Sequence, residues 1–172
     1  MVHIRAAVMA DAAAITEIYN HAVRHTTAIW NDTEVDVANR ESWLTAKQQD
    51  GHPVLVAVDD GGPVVGYASY GPWRDFDGYR HTVEHSVYVR ADRQGAGVGQ
   101  LLLTELLERA RADGHHVMVA AIDRDNAGSI RLHERLGFRQ VGQMAQVGVK
   151  FGRWLDLVLL QYQLDDRARP ES

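Results

Sequence analysis

Cysteine is absent from all 172 residues, which excludes disulfides, thiol nucleophiles and cysteine-based metal sites. Positive charge is in deficit as well. The net charge of −5 argues against a general nucleic-acid binder, whose surface must neutralise phosphates, so any anionic ligand has to be met locally. No apolar run is long enough to span a bilayer, and Met1-Val2-His3-Ile4-Arg5 lacks the apolar core of a signal peptide, so no membrane partner is expected and the cytoplasm is the expected location. Repeats, linkers and low-complexity segments are missing too. Histidines are present, with His21 and His25 one helical turn apart and His81 and His85 flanking Glu84. Neither an H-E-x-x-H pattern nor clustered carboxylates accompany them, so no metal is expected.

What is present describes a globular chain, 45% apolar and 24% charged. One domain over 1–164 with a loose tail at 165–172 is expected. The periodicity reads as a strand at 2–6, then a helical face of Ile15, Ile18, Tyr19 and Ala22. The run 26–30 has an extended bias, and a second helix over 37–49 begins near Asp36. Strands at 54–58 and 64–70 flank the hairpin signal Asp60-Gly61-Gly62, and the fourth strand covers 82–89. A helix with the stripe Leu102, Leu103, Leu106, Leu107 and Ala110 stops at Asp113-Gly114. A strand at 116–122 precedes a helix capped by Asn126 and ended by Gly137, and strands at 138–149 and 154–164 turn near Phe151-Gly152. This order predicts an α/β chain with a mixed sheet carrying helices on both faces.

The stretch 87–103 carries the chemistry. A strand ends, three glycines (Gly95, Gly97, Gly99) follow at alternate positions, and a helix begins at once. Unpaired amides at a helix start, approached by a glycine-rich backbone, form a cradle for an anion such as a pyrophosphate. A Rossmann fold needs its glycines after the first strand and an acidic residue about 20 positions on. Here the glycines follow the fourth strand, which demotes a nicotinamide cofactor.

The Gln94-x-x-Gly97-x-Gly99 turn, with Asn126 and then Leu136-Gly137-Phe138, resembles the GNAT N-acetyltransferase superfamily. The strings Trp73-Arg74, 79–89 and 146–156 are similar to its phosphinothricin and methionine sulfoximine (methionine sulfone) acetyltransferase branch. The resemblance implies the GNAT acyltransferase fold, a mostly antiparallel sheet of about seven strands, and acetyl-CoA as donor. It implies pyrophosphate on the amides of Gly95, Ala96, Gly97, Val98, Gly99 and Gln100, and pantetheine along Val87, Tyr88 and Val89 with Asn126 beside it. Arg93 and Arg135 are candidates for the cofactor phosphates, and the Val89 N–H, at an expected strand bulge, for the oxyanion.

An alkyl amine with a pKa of about 10.4 is neutral in only ~1 molecule in 2,500 at pH 7, so attack on a thioester needs a proton acceptor. Glu84 is the candidate base. His133, where many superfamily members carry a tyrosine, is a candidate acid, with a water or unassisted thiolate departure as alternatives. Arg74 is suited to an acceptor carboxylate, with Asp75 and Phe76 beside it and Glu84, His85 and Ser86 facing it by resemblance. This loop suggests a closed pocket for a small amino-acid-like acceptor. Lys150 and Arg153 read as a second basic loop, and the apolar run 155–160 with the family resemblance suggests a homodimer. A peptide or protein N-terminal acetyltransferase and a non-catalytic acyl-CoA sensor are the alternatives.

Overall fold

A computed structural model describes residues 1–170; of the expected loose tail, Glu171 and Ser172 lie outside the described residues. In chain order the elements are β1 (Val2–Ala6), α1 (Ala12–His25), α2 (Val37–Gln49), β2 (Val54–Asp59), β3 (Val64–Pro72), β4 (Thr82–Val89), α3 (Val98–Ala112), β5 (Val117–Asp123), α4 (Ala127–Leu136), β6 (Arg139–Lys150) and β7 (Arg153–Gln163). Side-chain caps set two of the helix starts. The Asp36 carboxylate accepts from the Asn39 N–H at 2.8 Å, and the Asn126 carbonyl accepts from the Ser129 N–H at 3.1 Å. Asp11, placed by the sequence in the first turn of α1, lies just before it. There its carboxylate accepts from the Val8 N–H at 2.8 Å and from both terminal nitrogens of Arg5, tying α1 to β1.

The seven strands form one sheet in the order β1-β2-β3-β4-β5-β7-β6, antiparallel except for the β4–β5 pair. Helices cover both faces. Leu55 and Ala57 of β2 join the core beneath α3, whereas Val54, Val56 and Val58 join the core beneath α1 and α2. This two-sided burial is why β2 reads as an uninterrupted apolar run. The α3 stripe Leu102, Leu103, Leu106, Leu107 and Ala110 is fully packed, each leucine worth about 1.5–3 kcal/mol of burial.

Three expectations are revised. Residues 26–30 are not a strand: the Thr26 N–H and hydroxyl both donate to the Ala22 carbonyl, ending α1, and the chain then bends. The start of the tail is held, because the Asp165 carboxylate meets His116 Nδ1 at 2.7 Å and Arg167 donates to the Gly114 carbonyl at 2.9 Å. Leu155, Val158 and Leu160 of the apolar run 155–160 are spent on the chain's own core, being at most 2% exposed.

β4 and β5 pair in parallel only from Thr82↔Val117 to Glu84↔Val119, after which the two strands part. β4 meanwhile stays paired with β3 as far as Gly66↔Val89, with no register shift along the ladder. The bulge expected at Val89 is therefore absent from this ladder. Parting from β5 opens the backbone instead.

Candidate active site

The ladder phase fixes which β4 amides face the opening. The Trp73 N–H donates to the Thr82 carbonyl and the Arg90 N–H to the Val65 carbonyl, so even-numbered β4 residues bond to β3 and odd-numbered ones point toward β5. The backbone groups of Val87 and Val89 consequently face the gap, where no strand of the described residues pairs with them. Gln94 Nε2 reaches the Val89 carbonyl at 3.2 Å, leaving the N–H of that residue to donate.

Side chains divide by the same alternation. Glu84, Ser86 and Tyr88 point toward the α1 and α2 face, where Tyr88 lies 5.3 Å from the Tyr67 ring. His85 points the other way, against His133 and Phe138. The grouping of Glu84, His85 and Ser86 on one acceptor wall is thus corrected: an intervening residue on a strand must face the opposite side. Glu84 is half-buried, and that burial raises its carboxyl pKa although the nearby Arg74 charge lowers it. Burial first, then the Tyr19 phenol, pushes Tyr88 up to about 12.

The gap opens into two neighbouring hollows that share Ala28, Val87, Tyr88, Asn126 and Ser129 as lining. The larger, of about 1000 Å³, is walled by the β4 end, the glycine turn, α4 and the α1 face bearing Glu17 and His21. The smaller, of about 90 Å³, lies between β4 and β5 and is lined by Ala28, His85, Ser86, Asn126, Ser129 and His133 among others. Asn126 borders both; with its carbonyl spent on the helix cap, its amide Nδ2 remains as a donor.

The turn between β4 and α3 holds Gly95 and Gly97 at φ of +77° and +82°, a region disfavoured for other residues. Gly99 does not need positive φ. It is in the first turn of α3, where an added Cβ would stand 3.2 Å from Leu132 of α4. The amides from Gly97 to Gln100 thus open on the large hollow at the positive end of α3. Arg93 is not a free phosphate cation, since it forms a two-pronged pair with Asp59 at 2.5 and 2.8 Å. Arg90 is similarly held by Asp92. Arg135 lines the hollow without an ion pair among the described residues, and Arg131, one turn earlier, joins it there. Arg131 went unnoticed in the sequence, although its i,i+4 spacing from Arg135 was a usable signal.

His133 is 1% exposed, and both its nitrogens are engaged. Nδ1 is 2.7 Å from the Ser129 carbonyl, which can only accept, so that nitrogen carries the proton. Nε2, bare as a result, accepts from His85 Nε2 at 3.0 Å. This network leaves the His85 Nδ1 without a partner among the described residues, and burial pushes His85 down to about 3 and lowers His133. The pair is therefore neutral, with no His133 proton directed at the hollow.

The loop following β3 contradicts the expected closed pocket. Arg74 stacks 4.6 Å over the Trp73 ring, Asp75 is exposed and Phe76 is 77% exposed, and none of the three lines either hollow. Among the described residues, no element packs over them. Lys150 is likewise not part of a basic loop: it is 2% exposed, with its ammonium on the carbonyls of Thr26 and Ile29. Arg153 pairs with Asp125 at the surface. The His21 and His25 rings meet at a tilt of 47° with centroids 4.8 Å apart, His21 lining the large hollow.

A strand pair that parts midway, with unpaired amides facing a glycine turn at a helix start, defines an acyl-CoA-type acetyltransferase site, and the chain belongs to the GNAT acetyltransferase family, whose model matches residues 15–138. It is 60% identical, over 98% of both chains, to an L-methionine sulfoximine/L-methionine sulfone acetyltransferase of Salmonella typhimurium. A Salmonella typhimurium acetyltransferase, yncA, solved with its cofactor acetyl-CoA, superposes with a TM-score of 0.96 at 60% identity, covering 99% of this chain and 98% of the other. More distant is a phosphinothricin N-acetyltransferase of Streptomyces coelicolor, 37% identical over 91% of this chain and 92% of its own.

Proposed function

We propose that residues 1–164 form one domain that transfers acetyl from acetyl-CoA to the α-amine of a small amino acid or analogue: methionine sulfoximine, methionine sulfone or phosphinothricin. The observation that carries this is the position of Glu84, a half-buried carboxyl of raised pKa three to five residues before the unpaired backbone of Val87 and Val89. Acetyl-CoA supplies an acetyl group already activated as a thioester. The amides from Gly97 to Gln100 bind its pyrophosphate, with Arg131 and Arg135 at the rim. Val87 and the Asn126 amide align the pantetheine, and the Val89 N–H donates to the carbonyl oxygen as charge develops there. Glu84 takes the ammonium proton directly or through a water, and Arg74, within electrostatic reach of Glu84, attracts the acceptor carboxylate. His133 fixes the wall and donates no proton. A thiol with a pKa of about 8.5 leaves tolerably well as thiolate, unlike an alkoxide, so no acid is required.

The open Arg74-Asp75-Phe76 loop favours a second reading, an N-terminal peptide acceptor, because a peptide needs an acceptor side without a lid. Both are separated by following thiol release from acetyl-CoA over methionine sulfoximine, methionine sulfone, phosphinothricin, free amino acids and short peptides. Turnover confined to the small analogues supports the main reading, turnover confined to peptides supports the second, and acetyl-CoA binding without turnover on any amine leaves only a sensor.

A homodimer in the cytoplasm fits the same reading. Val141, Met144, Val147 and Val149 of the edge strand β6, with Phe151 and Trp154 at its hairpin, are each 46–65% exposed, an apolar surface that favours a second copy. Light scattering at micromolar concentration should give twice the chain mass, and a monomer would refute it. No helix of the described residues is long and apolar enough to cross a membrane.

A further inference from the structure

We propose that Lys150 and Gly148 of β6 are positioning residues for acetyl transfer, holding the 26–30 segment as a wall of the site. Lys150 is a buried cation whose partners are carbonyls: its Nζ donates to Thr26 O at 2.7 Å and Ile29 O at 2.5 Å. A buried ammonium needs its donors satisfied, so these two carbonyls must stay where they are. Burial also lowers the Lys150 pKa, the nearby Asp32 charge opposing it.

Gly148 acts on the same segment by shape. A Cβ there would lie 2.3 Å from two atoms of the Trp30 ring, which is closer than any side chain tolerates. Trp30 is fixed in turn, its Nε1 donating to Thr27 O at 2.9 Å. The hairpin is shaped for this grip. The β6–β7 register shifts between Met144 and Gly148, where Gln146 adopts φ +55° and its N–H donates to the Asp156 carboxylate at 2.9 Å. A bulge of this kind re-aims the residues that follow it, here presenting Gly148 and Lys150 to the segment.

What the segment does is set by what it lines. Thr26 and Ala28 border the large hollow, and Ala28 also borders the small one opposite Ser86, Val87 and Tyr88. Ala28 thus stands where the linings of the two hollows meet, with Thr26 beside it on the large one, and there, by the function proposed above, on which this inference rests, thioester and amine meet. The pyrophosphate cradle at 95–100 belongs to other elements. Loosening the clamp therefore affects the acceptor more than acetyl-CoA.

The chain's lack of cysteine provides a clean test. In Lys150→Cys the new thiol is unique, and aminoethylation with 2-bromoethylamine in denaturant rebuilds a lysine analogue before refolding; wild type is carried through the same cycle. We expect Lys150→Cys to raise the KM for methionine sulfoximine at least tenfold while the KM for acetyl-CoA changes less than threefold, and aminoethylation to restore both. Gly148→Ala should reproduce the rise, yet add nothing in a Trp30→Ala background, because the clash partner is gone. Hydrogen–deuterium exchange of 26–36 gives an activity-independent reading and should quicken in both single variants. If wild type proves inactive on every amine, the proposed function fails and exchange alone decides the clamp. Unchanged exchange at 26–36, equal rises in both KM values, or Gly148→Ala and Trp30→Ala effects that simply add would each overturn the proposal.

Discussion

In the function proposed above, the donor and acceptor sides of β4 are built from different material. Beyond Val87 the site is main chain: unpaired amides of Val87 and Val89, the φ-positive turn at Gly95 and Gly97, and the start of α3. Around Glu84 it is side chain: a half-buried carboxyl, an arginine stacked on Trp73, and an exposed loop. Backbone donors are fixed by the fold and suit a donor molecule that does not vary. Side chains on a loop can be exchanged without disturbing the sheet, which suits the half of the reaction that selects among amines.

Four substitutions sharpen or break that contrast. The largest effect is expected from Glu84→Gln, which should lower kcat by about 10²–10⁴-fold as a positioned base is lost, with acetyl-CoA affinity unchanged by calorimetry. The same substitution should raise stability at pH 7. Because the folded pKa of Glu84 is raised, its ionised form is disfavoured in the fold above that pKa. The gain should vanish as the pH falls below the ordinary glutamate value, where both states hold the proton, and urea unfolding across that range reads it. Next, Gly97→Glu places a carboxylate in the cradle, where a Cβ meets nothing within 4 Å but a side chain strains the backbone held at φ +82°. Losing about 2 kcal/mol of charge-assisted bonding should raise the acetyl-CoA KM roughly 30-fold, with little effect on the acceptor KM in steady-state assays. Arg74→Gln should do the reverse, raising the acceptor KM by up to about fivefold, since one exposed, screened charge interaction is worth about 1 kcal/mol at most. The smallest change belongs to His133→Gln, whose kcat per folded molecule should fall less than threefold, since both imidazole nitrogens are already spent on Ser129 and His85. A hundredfold loss there would restore His133 as an acid.

The same contrast explains what the sequence disclosed. The donor side lies in one contiguous stretch, 87–100, with a helix cap at Asn126, and local backbone chemistry makes such a stretch legible. The strands were legible for a similar reason, since alternation and two-sided burial mark each one locally. His85 was misplaced because resemblance grouped neighbours that strand alternation separates. Lys150 was misread because a charge next to a hairpin turn ordinarily faces water, and only the fold brings Thr26 and Ile29, more than 120 residues away, over its ammonium. Arg93 looked free because its partner, Asp59, is 34 residues distant on β2. Pairings over such separations leave no local signal.

The central claim is that Glu84 is the base, poised by burial. The pH dependence of kcat/KM for methionine sulfoximine tests it most directly, measured for wild type and for the residual activity of Glu84→Gln. The account predicts an acid limb in the wild type, with activity lost as the pH falls through an apparent pKa above the ordinary glutamate value, and no such limb in the variant. An identical acid limb in both proteins would contradict it.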